Sequence, residues 1–295
     1  MSRRLIIVTG PTASGKTDYA IDLALRFGSP VISCDSRQIY KEMTIGTAVP
    51  SASQLSAVKH YFIQTHTVRE LYTAGTYEIE ALELISRLFE QGHQTLVMCG
   101  GSGFYVDAVC RGLPEVPPAD AELRASLTRR MQEEGVESLR LDLRRIDPEA
   151  YASIDITNPQ RVLRALEVNL LSGRSFASYR MEPRKRDFDI EKIVITRPRD
   201  VLYGRIDRRV TMMADAGLVE EAASLVPLRD YTALKTVGYK ELFDYFDYRD
   251  GSDAAGLPHS VDEALDRIRL NTRHYAKRQI TWWRRDPTAR FVELQ

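Results

Sequence analysis

Apolar and polar positions fall along this chain in blocks that read as strands and helices in turn. Leu5-Ile6-Ile7-Val8-Thr9 is a short β-branched run, the pattern of a strand buried on both faces. Lys16 to Arg26 carries apolar side chains at helical spacing, Tyr19, Ala20, Leu23 and Ala24, with Phe27 next. Val31 to Cys34 predicts a second buried strand, Thr76 to Gln91 an amphipathic helix, and Thr95 to Cys99 another strand closed by Gly100-Gly101. Strands alternating with helices predict a parallel, doubly wound α/β sheet. Beyond Gly112-Leu113-Pro114 the texture changes: Pro114, Pro117 and Pro118 mark a linker, and Ala119 to about Ser172 is helical throughout. Helices are expected over 121–134, 137–145 and 159–171, the last entered through Asn158 as cap and Pro159 in the first turn. Ile190 to Thr196 returns to strand character, and from Arg199 onward the chain is expected to be helical to its close. The pattern predicts an α/β core over 1–114 and 191–295, interrupted by an all-helical inserted domain over 115–190.

Composition narrows this picture. With 295 residues, 43% of them apolar and 28% charged, the chain can build about two ordinary domains and is neither disordered nor fibrous. Lys and Arg number 41 and Asp and Glu 41, so an anionic partner must be held by a local patch rather than a global field. The run Leu5 to Val8 is too short for a signal-peptide core, and no stretch nears the ~18 apolar residues of a membrane span. Cys34, Cys99 and Cys110 lack Cys-x-x-Cys spacing and read as reduced core thiols, so a cytoplasmic protein with no membrane partner is expected. The five histidines show no metal-ligand spacing.

Gly10-Pro11-Thr12-Ala13-Ser14-Gly15-Lys16-Thr17 fits the phosphate-loop pattern at every fixed position, between a buried strand and a helix. Inward backbone N–H groups and a helix N-terminus favour anionic oxygens. Lys16 adds a full charge, and the Thr17 hydroxyl can ligate Mg²⁺. A ligand with at least two phosphates is expected, on a P-loop NTPase-like core. Asp35 follows the second strand, where a residue of an open α/β sheet faces the crevice. It could serve as a magnesium acid, a general base or a helix cap. The strand at 95–99 ends in glycines and a hydroxyl, Gly100-Gly101-Ser102-Gly103, rather than in an acid, which suits a second cradle for phosphate oxygens.

Taken together, these segments resemble the tRNA dimethylallyltransferases (tRNA isopentenyltransferases). The resemblance is carried by 10–17, by Asp35-Ser36-Arg37-Gln38-Ile39-Tyr40, by Gly46-Thr47-Ala48 with Pro50, and by 100–105. It continues through Pro159-Gln160-Arg161, Gly238-Tyr239-Lys240-Glu241 and Lys277-Arg278-Gln279-Ile280-Thr281-Trp282, and so runs over essentially the whole chain. It implies transfer of a dimethylallyl group from dimethylallyl diphosphate to N6 of the adenosine 3′ to the tRNA anticodon, with Mg²⁺. Diphosphate would lie on Gly10, Thr12, Ala13, Ser14, Gly15, Lys16 and Thr17, with Ser102 helping to neutralise it as the allylic bond ionises. Asp35 would accept the N6 proton, because the amine's lone pair is delocalised into the ring. The base must be flipped out to be reached. Gln38 would read it, an amide being able to pair bidentately with an adenine edge. Further tRNA contacts are implied at Asp35, Ser36, Arg37, Ser102, Arg124, Pro159, Gln160, Arg161, Gly238, Tyr239, Lys240, Lys277, Arg278, Gln279 and Trp282. The usual Thr and Leu of the cradle are Ser102 and Phe104 here, a change expected to reshape the allyl pocket.

From 267 to 290 eight basic residues stand against one acid, Asp286, and Arg269, Arg273 and Lys277 recur at i, i+4 as a stripe suited to RNA phosphates. A second basic run, Arg180 to Arg186, is either a stem contact or a charged loop. Trp282-Trp283 offers one ring for stacking and one for the core, since adjacent helix positions diverge by about 100°. The alternative function is an ATP-dependent P-loop kinase, which would need neither the basic helix nor the acid-free glycine turn. A monomer is expected.

Overall fold

The computed structural model describes residues 3–179 and 184–295, and the chain divides into two compact units, Met1–Cys110 with Lys185–Gln295, and Arg111–Arg184. The first unit is built on a six-stranded sheet of β1 (Arg4–Thr9), β2 (Val31–Ser33), β3 (His60–Tyr61), β4 (Thr95–Cys99), β5 (Asp189–Thr196) and β6 (Ala289–Glu293). Its order is β3-β2-β4-β1-β5-β6, every pair parallel. Between the strands run α1 (Lys16–Phe27), α2 (Ala52–Ala57), α3 (Ala74–Glu90) and α4 (Gly103–Arg111). Alternate residues of β1 and β4 point to opposite faces, as the period of two requires. Leu5, Ile7, Leu96 and Met98 pack with Tyr77, Leu84 and Leu88 of α3. Ile6, Val8, Val97 and Cys99 pack with Ala20, Ile21 and Ala24 of α1. This two-sided burial is why both strands read as unbroken apolar runs.

A helical group completes the unit: α9 (Arg199–Asp215), α10 (Leu218–Ser224), α11 (Lys240–Arg249) and α12 (Val261–Trp283). Leu218, Leu242, Phe246 and Ile268 form a second apolar cluster with Ile39 and Met43 of the segment after β2. The chain does not close as a helix. Asp286 and Pro287 stop α12, and Phe291 and Val292 pair with Val194 and Ile195 as the sheet's edge strand. The second strand is one residue shorter than its sequence pattern, because Cys34 already turns away after donating to the Cys99 carbonyl at 2.8 Å.

The second unit holds α5 (Ala121–Glu134), α6 (Val136–Ile146), α7 (Pro148–Ser153) and α8 (Pro159–Ser172) around Leu127, Leu139, Leu143, Leu163 and Leu166. The short α7 has no apolar period of its own and is capped by buried Asp147, which accepts from the Ala150 amide at 3.0 Å. No helix among the described residues is long and apolar enough to cross a membrane.

Candidate active site

Three adjacent strands, β2, β4 and β1, end on one side of the sheet, and their following loops meet there. The phosphate loop after β1 is held by tight backbone packing. At Gly10, φ is 139°, and a Cβ would lie 2.3 Å from the Ile195 carbonyl oxygen, so no other residue fits. Ala13 takes φ 64°, a left-handed conformation that costs an L-residue about 1–2 kcal/mol, and the surroundings hold it there. Arg205 Nε donates to the Ala13 carbonyl at 2.7 Å, and Arg197 Nε to that of Ser14 at 2.8 Å. Arg209 donates to the Thr12 hydroxyl at 3.2 Å. Ser14 Oγ is buried with no partner among the described residues, an orphan polar atom inside the loop.

Of these residues Thr12, Ala13, Arg205 and Arg209 line a cavity of about 490 Å³, together with Lys16, Thr17, Asp18, Asp35, Gln38, Gly238, Tyr275 and Gln279. The electrostatics are unbalanced. Burial pushes the Lys16 ammonium below the ordinary lysine value, with the Arg209 charge adding to the push and Asp35 opposing it. Burial likewise disfavours the charge on Arg209, Arg205 adding to it. Such a cluster is relieved by an anion seated among its members. Burial, then the Asp35 carboxylate, pushes the Tyr275 hydroxyl up to about 12, so the phenol stays neutral.

Asp35 caps a turn. Its Oδ1 accepts from the Arg37 amide at 2.9 Å and the Gln38 amide at 3.3 Å, which orients the carboxylate. Gln38 spends its amide N–H groups on the carbonyls of Thr47 (3.2 Å) and Ala48 (2.8 Å), so the bidentate pairing expected of it is not open; only its Oε1 remains. The segment carrying those carbonyls is anchored by Glu221, which accepts from the amides of Thr44, Ile45 and Gly46 and from the Tyr239 hydroxyl. Gly46 is required there, since a Cβ would lie 2.5 Å from the Tyr239 ring.

Several expected contacts are placed elsewhere. Ser102 Oγ accepts from the Ser36 amide at 2.9 Å and donates to the Ser36 hydroxyl at 3.0 Å, so the group expected on diphosphate braces the Asp35 turn instead. Phe104 is exposed and does not line the cavity, which corrects the expectation that it shapes an allyl pocket. Gly238 and Tyr239 are buried, Gly238 against the cavity, and only Lys240 of that trio is exposed. Gln279 is buried, accepting from the Thr12 amide at 2.8 Å and donating to the Gly101 carbonyl at 2.9 Å. Trp283 is the core ring, while Trp282 is partly exposed beside His274, Lys277, Arg278, Thr281 and Arg285 along a surface groove.

The basic stripe on α12 is not continuous. Arg273 makes two hydrogen bonds to Asp207, at 2.6 and 2.7 Å, and Arg269 pairs with Asp266 at 2.6 Å, leaving Lys277 and Arg278 outside. Of the run 180–186, Arg180 lies outside the described residues. Arg184 is paired with Glu115 and Arg186 with Glu78. In the second unit Pro159, Gln160 and Arg161 are exposed at the start of α8, Asn158 capping the helix through the Gln160 amide. Arg124 and Arg164 each donate at 2.6 Å to one oxygen of the fully buried Glu167. Sequence reasoning missed Arg205 and Arg209. Their i, i+4 spacing was visible, but nothing along the chain tied it to the phosphate loop.

The IPP transferase family profile matches residues 38–286. A tRNA dimethylallyltransferase of Porphyromonas gingivalis is 46% identical over 97% of this chain and 93% of its own length. One from Bacteroides thetaiotaomicron is 42% identical over 97% and 90%. The tRNA isopentenylpyrophosphate transferase structure from Bacillus halodurans is 35% identical, with a TM-score of 0.68 over 99% of this chain and 90% of that one. A eukaryotic dimethylallyltransferase structure, 20% identical, shares the fold at a TM-score of 0.78 over 99% and 74%. On the breadth of these matches, the chain belongs to the IPP transferase family.

Proposed function

We propose that this protein transfers a dimethylallyl group from dimethylallyl diphosphate to the exocyclic N6 of an adenosine in tRNA, that beside the anticodon on its 3′ side. The observation that carries this reading is one cavity holding a half-buried, unbalanced cation cluster and, within it, a carboxylate oriented by a turn. The diphosphate lies against Gly10, Thr12, Ala13, Ser14, Gly15, Lys16 and Thr17, with Arg209 and Arg205 adding charge. As the allylic C–O bond breaks, negative charge grows on the departing oxygens, where preorganised cations stabilise it most.

Asp35 accepts the N6 proton through Oδ2, since Oδ1 is engaged by two amides. Gln38 Oε1 is available to the other N6 hydrogen. Ser36, Arg37 and Ser102 hold this acceptor side. Thr17, Asp18 and Asp35 offer only oxygen donors to the cavity, a set that fits a hard cation. Mg²⁺ held at Thr17 would screen the leaving group's charge. The tRNA is gripped through Lys277, Arg278 and Trp282 on the first unit. Lys240 adds to these, and Arg124, Pro159, Gln160 and Arg161 act on the helical unit. Every residue lining the cavity belongs to the first unit. The test is incubation with unmodified tRNA and labelled dimethylallyl diphosphate, followed by nucleoside analysis. Label should appear in N6-isopentenyladenosine; label that stays with the diphosphate, while ATP gives phosphoryl transfer, would replace this reading with a kinase.

A further inference from the structure

The amide of Gln279 spans two loops that carry opposite sides of the reaction. We infer that Gln279 is a positioning residue: it fixes the separation of the phosphate loop from the Gly101–Ser102 loop, and so aligns donor with acceptor. This rests on the transfer reaction proposed above. The side chain is only 6% exposed. Its Oε1 accepts from the Thr12 amide at 2.8 Å, at the crest of the phosphate loop, and its Nε2 donates to the Gly101 carbonyl at 2.9 Å. A primary amide can accept at one end and donate at the other; a carboxylate keeps only the first capacity and an alkyl group neither.

The fit is close on both sides. A Cβ at Gly101 would fall 2.3 Å from Gln279 Nε2, and one at Gly103 would fall 2.4 Å from the Trp282 indole nitrogen. One face of α12 thus presses on the glycine loop at i and i+3. Between the two glycines, Ser102 accepts from the Ser36 amide, next to Asp35. A hydrogen-bonded path therefore leads from Thr12 through Gln279 and Ser102 to the turn that holds the base. Displacement of reacting groups by about 1 Å costs on the order of 10²-fold in rate. Gln279 lines the cavity, but both ends of its amide are engaged by the two loops, whereas Lys277 and Arg278 of the same helix segment line the surface groove.

The experiment compares Gln279→Leu and Gln279→Glu with wild type by kcat at saturating substrates, by tRNA Kd, and by the Kd of inorganic pyrophosphate. Thermal melting checks the fold. We expect kcat to fall roughly 10–100-fold in both variants, Gln279→Leu losing both contacts and Gln279→Glu keeping the Thr12 contact while turning an acceptor toward the Gly101 carbonyl. Pyrophosphate affinity should weaken several-fold, with tRNA Kd within about twofold of wild type. A raised tRNA Kd with wild-type kcat at saturation would make Gln279 an RNA contact and overturn the inference, as would unchanged kcat and pyrophosphate affinity in both variants. If Gln279→Leu does not fold, Gln279→Glu decides alone. Wild-type protein inactive in transfer would sink the reaction, yet the pyrophosphate measurement would still report on the loop spacing.

Discussion

At the scale of the residue, the site is arranged so that each polar atom is either spent on the scaffold or left for chemistry. Asp35 is divided between the two, one oxygen holding a turn and the other left to take a proton. Asp35→Asn keeps an acceptor for the Arg37 and Gln38 amides but removes the base. Its transfer rate should fall about 10²–10⁴-fold, with tRNA Kd nearly unchanged. Near-normal turnover in single-turnover assays would take the role from Asp35. Lys16 is tested by two measurements. Because its partial burial disfavours the charge until an anion is bound, Lys16→Met should leave the melting temperature of the ligand-free protein no lower than wild type's while abolishing the stabilisation that pyrophosphate gives wild type. The phosphate loop was fully legible along the chain, since its glycines and lysine fall within one run of eight residues. Arg205 and Arg209, nearly two hundred residues away, were not.

At the scale of the element, α12 shows how a periodic pattern can mislead. Arg269, Arg273 and Lys277 do share a helical face, but a charge's availability depends on what packs against that face. Asp207 of α9 takes Arg273, and the Tyr203 ring lies 5.2 Å below its guanidinium. Lys277→Ala should therefore weaken tRNA binding and lower the slope of log affinity against log salt by about 1. Arg273→Ala should leave that slope alone and lower stability instead, by no more than about 1 kcal/mol in denaturant titrations, since water reaches the Asp207 it leaves behind. Equal salt slopes for the two variants would contradict this division. The helices 121–134 and 159–171 were readable because caps and apolar spacing are local; α7, one turn and a half long, owes its existence to the Asp147 cap and its neighbours.

Across the whole molecule, the chain's last strand is tied to the sheet through a buried ion pair. Lys192 on β5 meets Asp286 at 2.6 Å, both side chains almost fully buried. Burial by itself raises the Asp286 carboxyl, but Lys192 and the Thr288 hydroxyl and amide outweigh it and hold the carboxyl down at about 2. A carboxyl lower in the folded than in the unfolded state stabilises fully above its unfolded value near 4, and that contribution fades as pH falls toward 2. Asp286→Ala should cost about 3–5 kcal/mol at neutral pH, leaving Lys192 buried alone, and should flatten the acid limb of stability measured against pH. An acid limb as steep as wild type's would show that other carboxyls govern it.

The sequence by itself determined the parallel α/β sheet, the phosphate loop and the acid after the second strand. These follow from local periodicity and from short motifs whose residues act on their own neighbours. The tertiary structure alone decided which cations face the cavity, which are neutralised, and that Gln279, Tyr239 and Ser102 turn inward to brace loops. Those outcomes depend on side chains meeting across separations of tens to hundreds of residues, and nothing in the spacing along a chain specifies what lies opposite.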